Sequence, residues 1–543
     1  MKLLRDAKRV FLKSKLLLLM TVLIYGYVIN FLLRFYKMPL GSDSITASLD
    51  QALKLSFYLF LVLLFFSYEY YLKFQRDGAD EITRCTKKGR KNQHLISAFC
   101  ILTIWIILLS AVIAGFVIVE YKYYGIRDTN NEYIIHILKN IFVNFFLILE
   151  LASCIGLLLS GTRKRIMAYA VMLLIIYAVS PYPERIADAQ CMAGNIKHSI
   201  YPIVELFNIM PLVNSGFSVN TAFGESVLFY RISLILFWTA VVILLLFLVR
   251  KCRIRNIVII MVVCLCFGAG YVMPASKVNM NNNPENTMAH DQYYYETGNK
   301  TKKKKPQYRI TDYDMKLKIG RQLKAKVTMT VSKNLREYPM TLYHGYKVRA
   351  VSDQNGNPLK YSRETDYLNI KTNKKAEKIT VEYEGASAAY YSNRQGIYLP
   401  GDFAYYPRAG YLALYDEEQM AMTSNFVSPD TKFKTIIDYQ GKIYTNLDKK
   451  GSVYQSVCDG CTIFAGFYKE KKFGDGNRII YNYLSDECYL EPGGFSAILK
   501  EDEAELKKMK KSHVTIFVAP NVNQMRNCDI GQNQILLRNS PWL

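Results

Sequence analysis

The chain has 543 residues and a formal net charge of +24, and hydrophobic residues make up 51% of it. Long apolar runs precede Pro274, whereas the sequence after Pro274 is polar, alternating and rich in Tyr and Lys. This division excludes a wholly water-soluble protein, because the apolar runs have the length that a bilayer requires.

Seven apolar runs precede Pro274, and most reach the roughly 20 residues that a helix needs to cross a ~30 Å hydrocarbon core. Only helices and closed barrels satisfy their backbone in lipid, and runs this continuous are helical rather than alternating. We therefore expect an α-helical transmembrane bundle of about seven spans over residues 1–274. The runs are residues 15–33, 53–72, 95–119, 137–160, 166–181, 227–249 and 255–274.

Lysine and arginine are unevenly divided among the loops. They are dense in the N-terminal tail and in the loops after the second, fourth and sixth runs, and sparse in the loops between these. The positive-inside rule then makes the N-terminus cytoplasmic, and seven spans place the C-terminal half outside a bacterial plasma membrane. Since this topology accounts for much of the charge, we expect no nucleic-acid partner. A basic exterior fits anionic lipid heads or cell-wall polymer instead.

Among the charged residues of the apolar runs, Glu150 stands out. Glu150 lies near the middle of the fourth run, where a carboxylate costs a few kcal/mol and usually faces a cavity or a partner. We expect it to line a transport path, to hold a dimer interface, or to be a protonated or hydrogen-bonded packing residue. Arg231 lies nearer the end of a run, and we expect its side chain to snorkel toward water.

The sequence after Pro274 predicts β structure. Residues 275–307 have little apolar periodicity and are expected to form a linker. From Tyr308 onward, apolar and polar residues alternate, as in Leu323–Val331, which indicates strands with one buried face. Asn355 and Gly356 predict a tight turn. We expect an extracellular, mainly-β sandwich or saddle domain over residues 308–500. A helix near residues 501–511 and a strand at Val514–Ala519 would begin a further domain over residues 501–543.

The predicted topology places five cysteines outside, and they are Cys191, Cys458, Cys461, Cys488 and Cys528. The spacing of Cys458 and Cys461 is that of a CxxC motif, but a zinc site would need a second closely spaced ligand pair. We therefore expect no metal site. Disulfides and free thiols both stay open, and an outside compartment favours disulfides.

The membrane half resembles the permease of ABC-2-type exporters. The resemblance depends on the pattern of spans and on Arg76, Asp77, Gly78 and Glu81, an acidic–basic–Gly stretch in the loop after the second run. In that family the corresponding stretch forms a coupling helix that docks on a cytoplasmic ATPase. An ordinary charged cytoplasmic loop is the alternative reading.

A second segment supports the same resemblance. Residues 201–211 are apolar, bounded by Pro202 and Pro211, and too short to cross a membrane. They resemble the extracellular re-entrant helices of ABC-2 permeases, and a plain amphipathic surface helix is the alternative. The family implies a homodimer or a pairing with a paralogous permease. ATP and magnesium would be held by the partner ATPase, because no GxxxxGK[ST] motif occurs in this chain.

The outer half resembles the N-terminal β-saddle domain of M1-family aminopeptidases over about residues 308–475. Tyr406 and Pro407 fall where that family carries an aromatic-Tyr-Pro signature, and we expect a structural role for them. M1 peptidases bind zinc through HExxH, in which two His ligate the metal and the Glu activates water. None of the six histidines of this chain begins HExxH. The sequence therefore predicts neither catalytic residues nor a cofactor in this chain.

Three hypotheses follow. In the first, the chain is the permease subunit of an ABC-2-type exporter that moves a peptide or an envelope-related substrate. In the second, it is the membrane-anchored part of a split M1-like metallopeptidase. In the third, it is a non-transporting sensor with a membrane-tethered β domain.

Overall fold

A computed structural model describes two compact units, a helical unit up to residue 272 and a β unit from residue 294 onward. The described residues are 15–36, 47–76, 93–124, 131–162, 164–192, 201–210, 229–250, 252–272, 294–295, 304–320, 322–372, 376–387, 390–416, 418, 421–473, 477–482, 513–519 and 528–538.

Helices make up the first unit. Their bounds are α1 Lys15–Tyr36, α2 Ala47–Arg76, α3 Gln93–Tyr124, α4 Asn131–Asn140, α5 Leu147–Leu159, α6 Arg165–Val179, α7 Tyr182–Met192, α8 Tyr201–Phe207, α9 Phe229–Val249 and α10 Ile254–Val272. A π-helical segment, Ile141–Phe146, joins α4 to α5. Together these three pieces form one continuous helical stretch over Asn131–Leu159.

Within the described residues, five stretches are long and apolar enough to cross a membrane: Gln51–Lys73, Leu95–Lys122, Asn131–Leu159, Phe229–Val249 and Ile254–Val272. The first and fifth predicted runs form α1 and α6, whose apolar stretches are the shorter Thr21–Asn30 and Arg165–Val179. At 1.5 Å per residue, the latter spans only about 22 Å. The prediction of apolar membrane-length helices is confirmed, and the structure shows five of them rather than about seven.

Hydroxyl groups join the central helices of this unit. The Oγ of Ser67 on α2 donates to the carbonyl of Ala152 on α5 at 3.3 Å. One turn along, the hydroxyls of Tyr71 and Ser153 lie 3.0 Å apart, and Tyr70 donates to the carbonyl of Ala98 on α3 at 3.2 Å. Because lipid offers these groups no partner, hydrogen bonds between helices both satisfy them and fix the helix pairs.

Strands make up the second unit. Their bounds are β1 Ile310–Ile319, β2 Leu323–Val331, β3 Glu337–Thr341, β4 Tyr346–Asp353, β5 Lys360–Glu364, β6 Tyr367–Lys371, β7 Lys378–Gly385, β8 Ile397–Leu399, β9 Arg408–Ala409, β10 Tyr415–Asp416, β11 Ala421–Met422, β12 Lys432–Asp438, β13 Ile443–Thr445, β14 Asp448–Lys450, β15 Val453–Val457, β16 Ile463–Ala465, β17 Tyr468–Phe473, β18 Asn477–Asn482, β19 Thr515–Ala519, β20 Cys528–Ile530 and β21 Gln534–Arg538.

Several sheets result from these strands, which confirms a mainly-β region. The largest has seven strands in the order β14-β15-β12-β1-β2-β7-β4, and the pair β1 and β12 is parallel. A four-stranded sheet, β5-β6-β3-β9, and a three-stranded sheet, β13-β16-β8, accompany it. In β1 and β2 buried and accessible positions alternate, as predicted for strands with one face in a core.

The predicted turn at Asn355 and Gly356 is present. Gly356 has a φ of +82°, a left-handed conformation that glycine adopts without steric cost. The Oδ1 of Asp353 accepts hydrogen bonds from the backbone N–H groups of Asn355 and Asn357, both at 2.9 Å. This side chain holds the turn closed.

The core of the β unit is rich in tyrosine. Tyr313 stacks on Phe433 at 5.1 Å between ring centroids and donates its hydroxyl to the carbonyl of Pro407 at 2.9 Å. The hydroxyl of Tyr383 donates to the carbonyl of Tyr405 at 2.6 Å. Tyr313 and Tyr383 thus each contribute an apolar ring to the core and satisfy a loop carbonyl that no strand reaches.

Besides a two-stranded sheet, β10-β11, there is a five-stranded sheet of mixed direction, in the order β17-β18-β19-β21-β20. β19 confirms the strand predicted at Val514–Ala519, and it is parallel to both β18 and β21. The sheet therefore joins strands on either side of residue 500, where the sequence suggested a boundary. The helix predicted near residues 501–511 lies outside the described residues.

Candidate functional site

The guanidinium of Arg231 lies inside the helical unit, where it is 5% exposed. Its Nε donates to the Oδ1 of Asn144 at 2.8 Å, and its Nη1 donates to the carbonyl of Asn208 at 3.0 Å. Its Nη2 donates to the carbonyl of Ile209. The expectation that Arg231 snorkels toward water is wrong, because three uncharged oxygens satisfy its donors within the protein.

The asparagine partner belongs to a hydrogen-bonded row on one helix. Asn144 donates from Nδ2 to the Oδ1 of Asn140 at 2.9 Å, and Asn140 donates to the carbonyl of His136 at 3.1 Å. Asn144 lies within the π-helical segment, an irregularity that is frequent at functional sites. We call Arg231, Asn144 and Asn140 the Arg231 cluster.

An apolar cavity of about 260 Å³ adjoins this cluster. Residues of α2, α5, α6, α8 and α9 line it, including Phe60, Ile155, Val171, Phe207 and Trp238. The Nε1 of Trp238 donates to the carbonyl of Leu206 at 2.7 Å, which fixes α9 against the end of α8. Ile209 belongs to both features, because it lines the cavity and its carbonyl accepts a hydrogen bond from Arg231. An apolar space beside a buried positive charge is suited to an amphiphilic molecule.

Glu150 is buried on α5, with 9% of its surface exposed. The Thr103 side chain of α3 interacts with its carboxyl group, but neither carboxylate oxygen has a hydrogen bond of normal geometry among the described residues. The roles expected for Glu150, in a transport path, at a dimer interface or as a protonated or hydrogen-bonded packing residue, stay predictions. A carboxyl group left in this state inside apolar helices is a candidate for contact with a substrate or a second subunit.

Other residues singled out by the sequence fall at or beyond the edges of the described helices. The backbone of Arg76 forms the last turn of α2, whereas Asp77, Gly78 and Glu81 lie outside the described residues. Pro202 is in the first turn of α8, a helix of seven residues, and Pro211 lies outside the described residues. The ATPase-coupling loop and the re-entrant segment therefore stay predictions.

Tyr406 and Pro407 lie in the core of the β unit beside Arg408. Arg408 is 1% exposed and donates from Nη2 to the carbonyls of Gly401 at 2.6 Å and Phe403 at 2.9 Å. Its Nη1 donates to the carbonyl of Asn425 at 2.9 Å, and its guanidinium lies 4.1 Å from the centre of the Tyr406 ring. These contacts organise a loop of the core, a role that is structural.

The CxxC pair is also buried in this core. Cys458 and Cys461 are both 0% exposed, and the Sγ of Cys458 donates to the carbonyl of Gly460 at 3.2 Å. Cys461 is a free thiol, and burial raises its pKa to about 11. Across the described ranges, no group of three or more His, Cys, Asp or Glu side chains is placed to hold a metal ion.

The sequence argument missed the Arg231 cluster, although part of its signal was present. Asn140 and Asn144 are four residues apart, so they lie on one face of a helix within an apolar run. Two amides and an arginine inside apolar runs are polar groups that need partners in a membrane. Their pairing depends on carbonyls after α8, which carry no sequence signature.

Comparisons with known proteins give structural neighbours only. No family model matches the chain, and the search of curated proteins finds no match. An M1 zinc metallopeptidase from Deinococcus radiodurans is similar at a TM-score of 0.31 and 12% identity, over 43% of this chain and 60% of its own. For leukotriene A4 hydrolase from Saccharomyces cerevisiae the TM-score is 0.29, with 12% identity over 42% of this chain and 40% of that chain.

A third neighbour is an aminopeptidase N family protein from Idiomarina loihiensis, at a TM-score of 0.29 and 9% identity over 42% of each chain. This chain covers between 40% and 60% of the length of these three neighbours. At these TM-scores the likeness does not bear on activity.

Proposed function

We propose that the chain is the permease subunit of a bacterial ABC-2-type exporter. It moves a peptide or an envelope-related substrate outward, and a separate cytoplasmic ATPase supplies the energy. The β unit is an extracellular, non-catalytic domain that binds the substrate or gates its release. Seven spans, with α1 and α6 as the two short ones, place the N-terminus inside and the β unit outside.

The observation that carries this proposal is the junction at Ile209 between the Arg231 cluster and the apolar cavity. A guanidinium has five N–H donors, and three of them are used by uncharged oxygens, so the positive charge stays uncompensated by these contacts. A transported molecule with an anionic group and an apolar body would match both halves of the site. Purely structural helix packing does not need a buried cation beside an open apolar space.

Glu150 supports the same proposal from another part of the helical unit. A carboxyl group without a hydrogen bond of normal geometry is costly inside apolar helices and is retained where it meets a substrate or a second subunit. In the proposed exporter, two copies of this chain, or this chain and a paralogue, form the path. Glu150 then faces either that path or the contact between the two permeases.

Co-purification of an ATPase tests the proposal. The chain, solubilised in detergent from its own host, is expected to retain an ABC ATPase, and Gly78→Pro or Glu81→Arg is expected to release it. The matched control is Arg163→Glu, a charge reversal in another predicted cytoplasmic loop, which should leave the ATPase bound. If Gly78→Pro and Glu81→Arg leave the ATPase bound, the assignment of the coupling loop is contradicted. If no ATPase co-purifies with the wild type, the sensor hypothesis is favoured.

Zinc-dependent aminopeptidase activity of the purified chain would contradict a non-catalytic β unit.

The site itself is tested by the turnover of the complex. If the Arg231 cluster binds the transported molecule, Arg231→Gln in the reconstituted complex should abolish ATPase stimulation by an extract of the host envelope while leaving basal ATP hydrolysis intact. Arg255→Gln, on an exposed position of α10, is the matched control. Equal stimulation of both variants would argue against a substrate role for the cluster.

A further inference from the structure

The solvent-facing side of the seven-stranded sheet forms a trough of about 900 Å³ that is lined by lysines. Six lysines from five different strands line it: Lys316, Lys326, Lys378, Lys432, Lys434 and Lys450. The outermost strands that contribute, β14 and β7, are five strand spacings apart, which is about 24 Å at roughly 4.8 Å per spacing. We call this feature the lysine trough.

Three aspartates also line the trough, and each already has a partner. Asp314 forms an ion pair with Lys434 at 3.4 Å. The carboxylate of Asp448 accepts from the hydroxyl of Ser456 at 3.2 Å, and that of Asp312 accepts from the hydroxyl of Thr311 at 2.6 Å. Six lysines therefore face three aspartates, and the trough has an excess of positive charge.

Ion pairs within the described part of the chain engage two of the six lysines. Lys326 pairs with Glu382 at 2.7 Å, and Lys434 pairs with Asp314. Lys316, Lys378, Lys432 and Lys450 have no ion pair among the residues that the structure describes. Their charges are available to a ligand.

The strand register places pairs of lysines directly opposite each other, both at the trough and beside it. Lys316 on β1 is directly opposite Lys326 on β2, and Lys318 is directly opposite Lys324. Like charges in directly opposed positions destabilise a sheet. Glu382 offsets part of the charge of Lys326, whereas Lys316 has no such ion pair among the described residues. An anion bound across β1 and β2 would lower the repulsion that remains at Lys316.

Hydroxyl and amide groups lie between the lysines. The hydroxyls of Thr328 and Thr380 are 2.9 Å apart on neighbouring strands, and Thr330, Gln455 and Ser456 also line the trough. Such groups donate to and accept from hydroxyls of a ligand. Lysine binds a phosphate oxygen as a point charge, and arginine, which forms bidentate pairs, does not line the trough.

From these features we infer that the lysine trough binds an extended polymer of phosphodiester-linked polyol units. The spread of the lysines over about 24 Å exceeds the size of one phosphate group and matches a chain that carries several. The trough is concave, so a polymer strand can lie along its floor. A flat bilayer would contact only the edges of the trough. This inference does not depend on transport, because it concerns the β unit alone.

Binding of poly(glycerol phosphate) to the full-length chain in nanodiscs of zwitterionic lipid tests the inference. The test variant changes Lys316, Lys378, Lys432 and Lys450 to Gln, which removes only the lysines without ion pairs. The control changes Lys333, Lys360, Lys471 and Lys472 to Gln, an equal loss of charge at exposed positions outside the trough. Labelled polymer is followed by fluorescence anisotropy at several salt concentrations.

The test variant is expected to bind at least tenfold more weakly than the wild type, and the control less than threefold. The slope of log Kd against log salt should fall by about 3, at roughly 0.7 for each lysine removed. A quadruple Lys→Arg variant at the same positions should retain binding and shows that the fold tolerates change there.

Several results would overturn the inference. Absence of binding by the wild type, or an equal loss in test variant and control, would show that the trough is not the site. Equal binding of poly-glutamate would show that phosphodiesters are not recognised. Stronger, equally lysine-dependent binding to phosphatidylglycerol nanodiscs would assign the trough to a lipid surface instead.

Discussion

A Cβ placed on Gly156 would overlap the Oγ of Ser67 and lie 2.8 Å from the backbone nitrogen of Tyr68. The glycine on α5 thus allows the backbone of α2 to approach more closely than any side chain would permit. Small residues have this function in membrane helix pairs, where close packing replaces the hydrophobic effect. The same two helices carry the hydrogen bond from Ser67 to Ala152, so the glycine and the hydroxyl act on one contact.

Gly156→Ala is therefore expected to weaken the contact between α2 and α5. Rotation of Ser67 relieves only the contact with its Oγ, because the Tyr68 nitrogen is backbone. We expect a loss of about 1–3 kcal/mol, measured as the thermal stability of the detergent-solubilised chain. Gly115→Ala on α3 is the control, since a Cβ there meets nothing within 4 Å. Equal stability of both variants would contradict the close approach.

Local patterns predicted much of the fold. The third apolar run, residues 95–119, lies within α3, and the alternation in Leu323–Val331 matches β2 residue for residue. Both signals are local, because helix and strand periodicities are read from neighbouring residues. The parallel pairing of β1 with β12 was not predicted, since it joins segments more than a hundred residues apart. The count of seven spans stays a prediction, because residues 166–181 are apolar but form a helix of only 15 residues.

The candidate site was harder to predict than the fold. Arg231 looked like a residue that reaches water, and its burial depends on carbonyls of Asn208 and Ile209 that a sequence does not display. Glu150 was found from sequence because a carboxylate in an apolar run is conspicuous in itself. A buried charge can be predicted from sequence when it interrupts an apolar run. Its hydrogen-bond partners cannot be predicted when they are backbone groups of another segment.

Arg231 and Asn144 are expected to be energetically coupled. Arg231→Leu leaves the Asn144 amide without its donor, and Asn144→Leu leaves the Arg231 Nε without its acceptor, so each single change is costly. In a double-mutant cycle of thermal stability, the coupling energy should be about 1–3 kcal/mol. Additive effects would show that the 2.8 Å contact contributes nothing. Arg255→Leu, at an exposed position, combined with Asn144→Leu gives the control cycle, for which additivity is expected.

Arg408 is expected to be required for the stability of the β unit. Arg408→Met keeps an apolar stem of similar length but removes the donors to Gly401, Phe403 and Asn425. Hydrogen bonds from a charged donor are worth about 1.5–3 kcal/mol each, so a loss of at least about 3 kcal/mol is expected. The readout is the rate at which a thiol reagent modifies the buried Cys461 of the full chain. Arg394→Met at an exposed position should leave that rate unchanged, and unchanged labelling of Arg408→Met would contradict the assigned role.

Asp459 is expected to make the stability of the β unit fall as pH rises through the acidic range. Its Oδ2 accepts from the backbone N–H of Gln532 at 2.6 Å, and its Oδ1 accepts from Nε2 of Gln534 at 3.1 Å. Burial nevertheless raises the pKa of this carboxyl above its ordinary value of 3.8, and the hydrogen bonds oppose that shift only in part. In the window between 3.8 and the raised pKa, the folded state binds more protons than the unfolded state. Stability therefore decreases with rising pH across that window and is constant on either side of it.

Asp459→Asn replaces the titrating carboxyl group by an amide. The stability of the β unit should then lose the part of its pH dependence that comes from Asp459. Because the amide also disturbs the contacts to Gln532 and Gln534, the two proteins are compared by pH dependence rather than at a single pH. A pyridyl disulfide reagent, which reacts in acid, reports opening through Cys461. The ratio of the variant's labelling rate to that of the wild type should fall as the pH rises from 3.8 to the raised pKa, because only the wild type loses stability there. A constant ratio would contradict the raised pKa, and Asp430→Asn at an exposed position supplies the matched control.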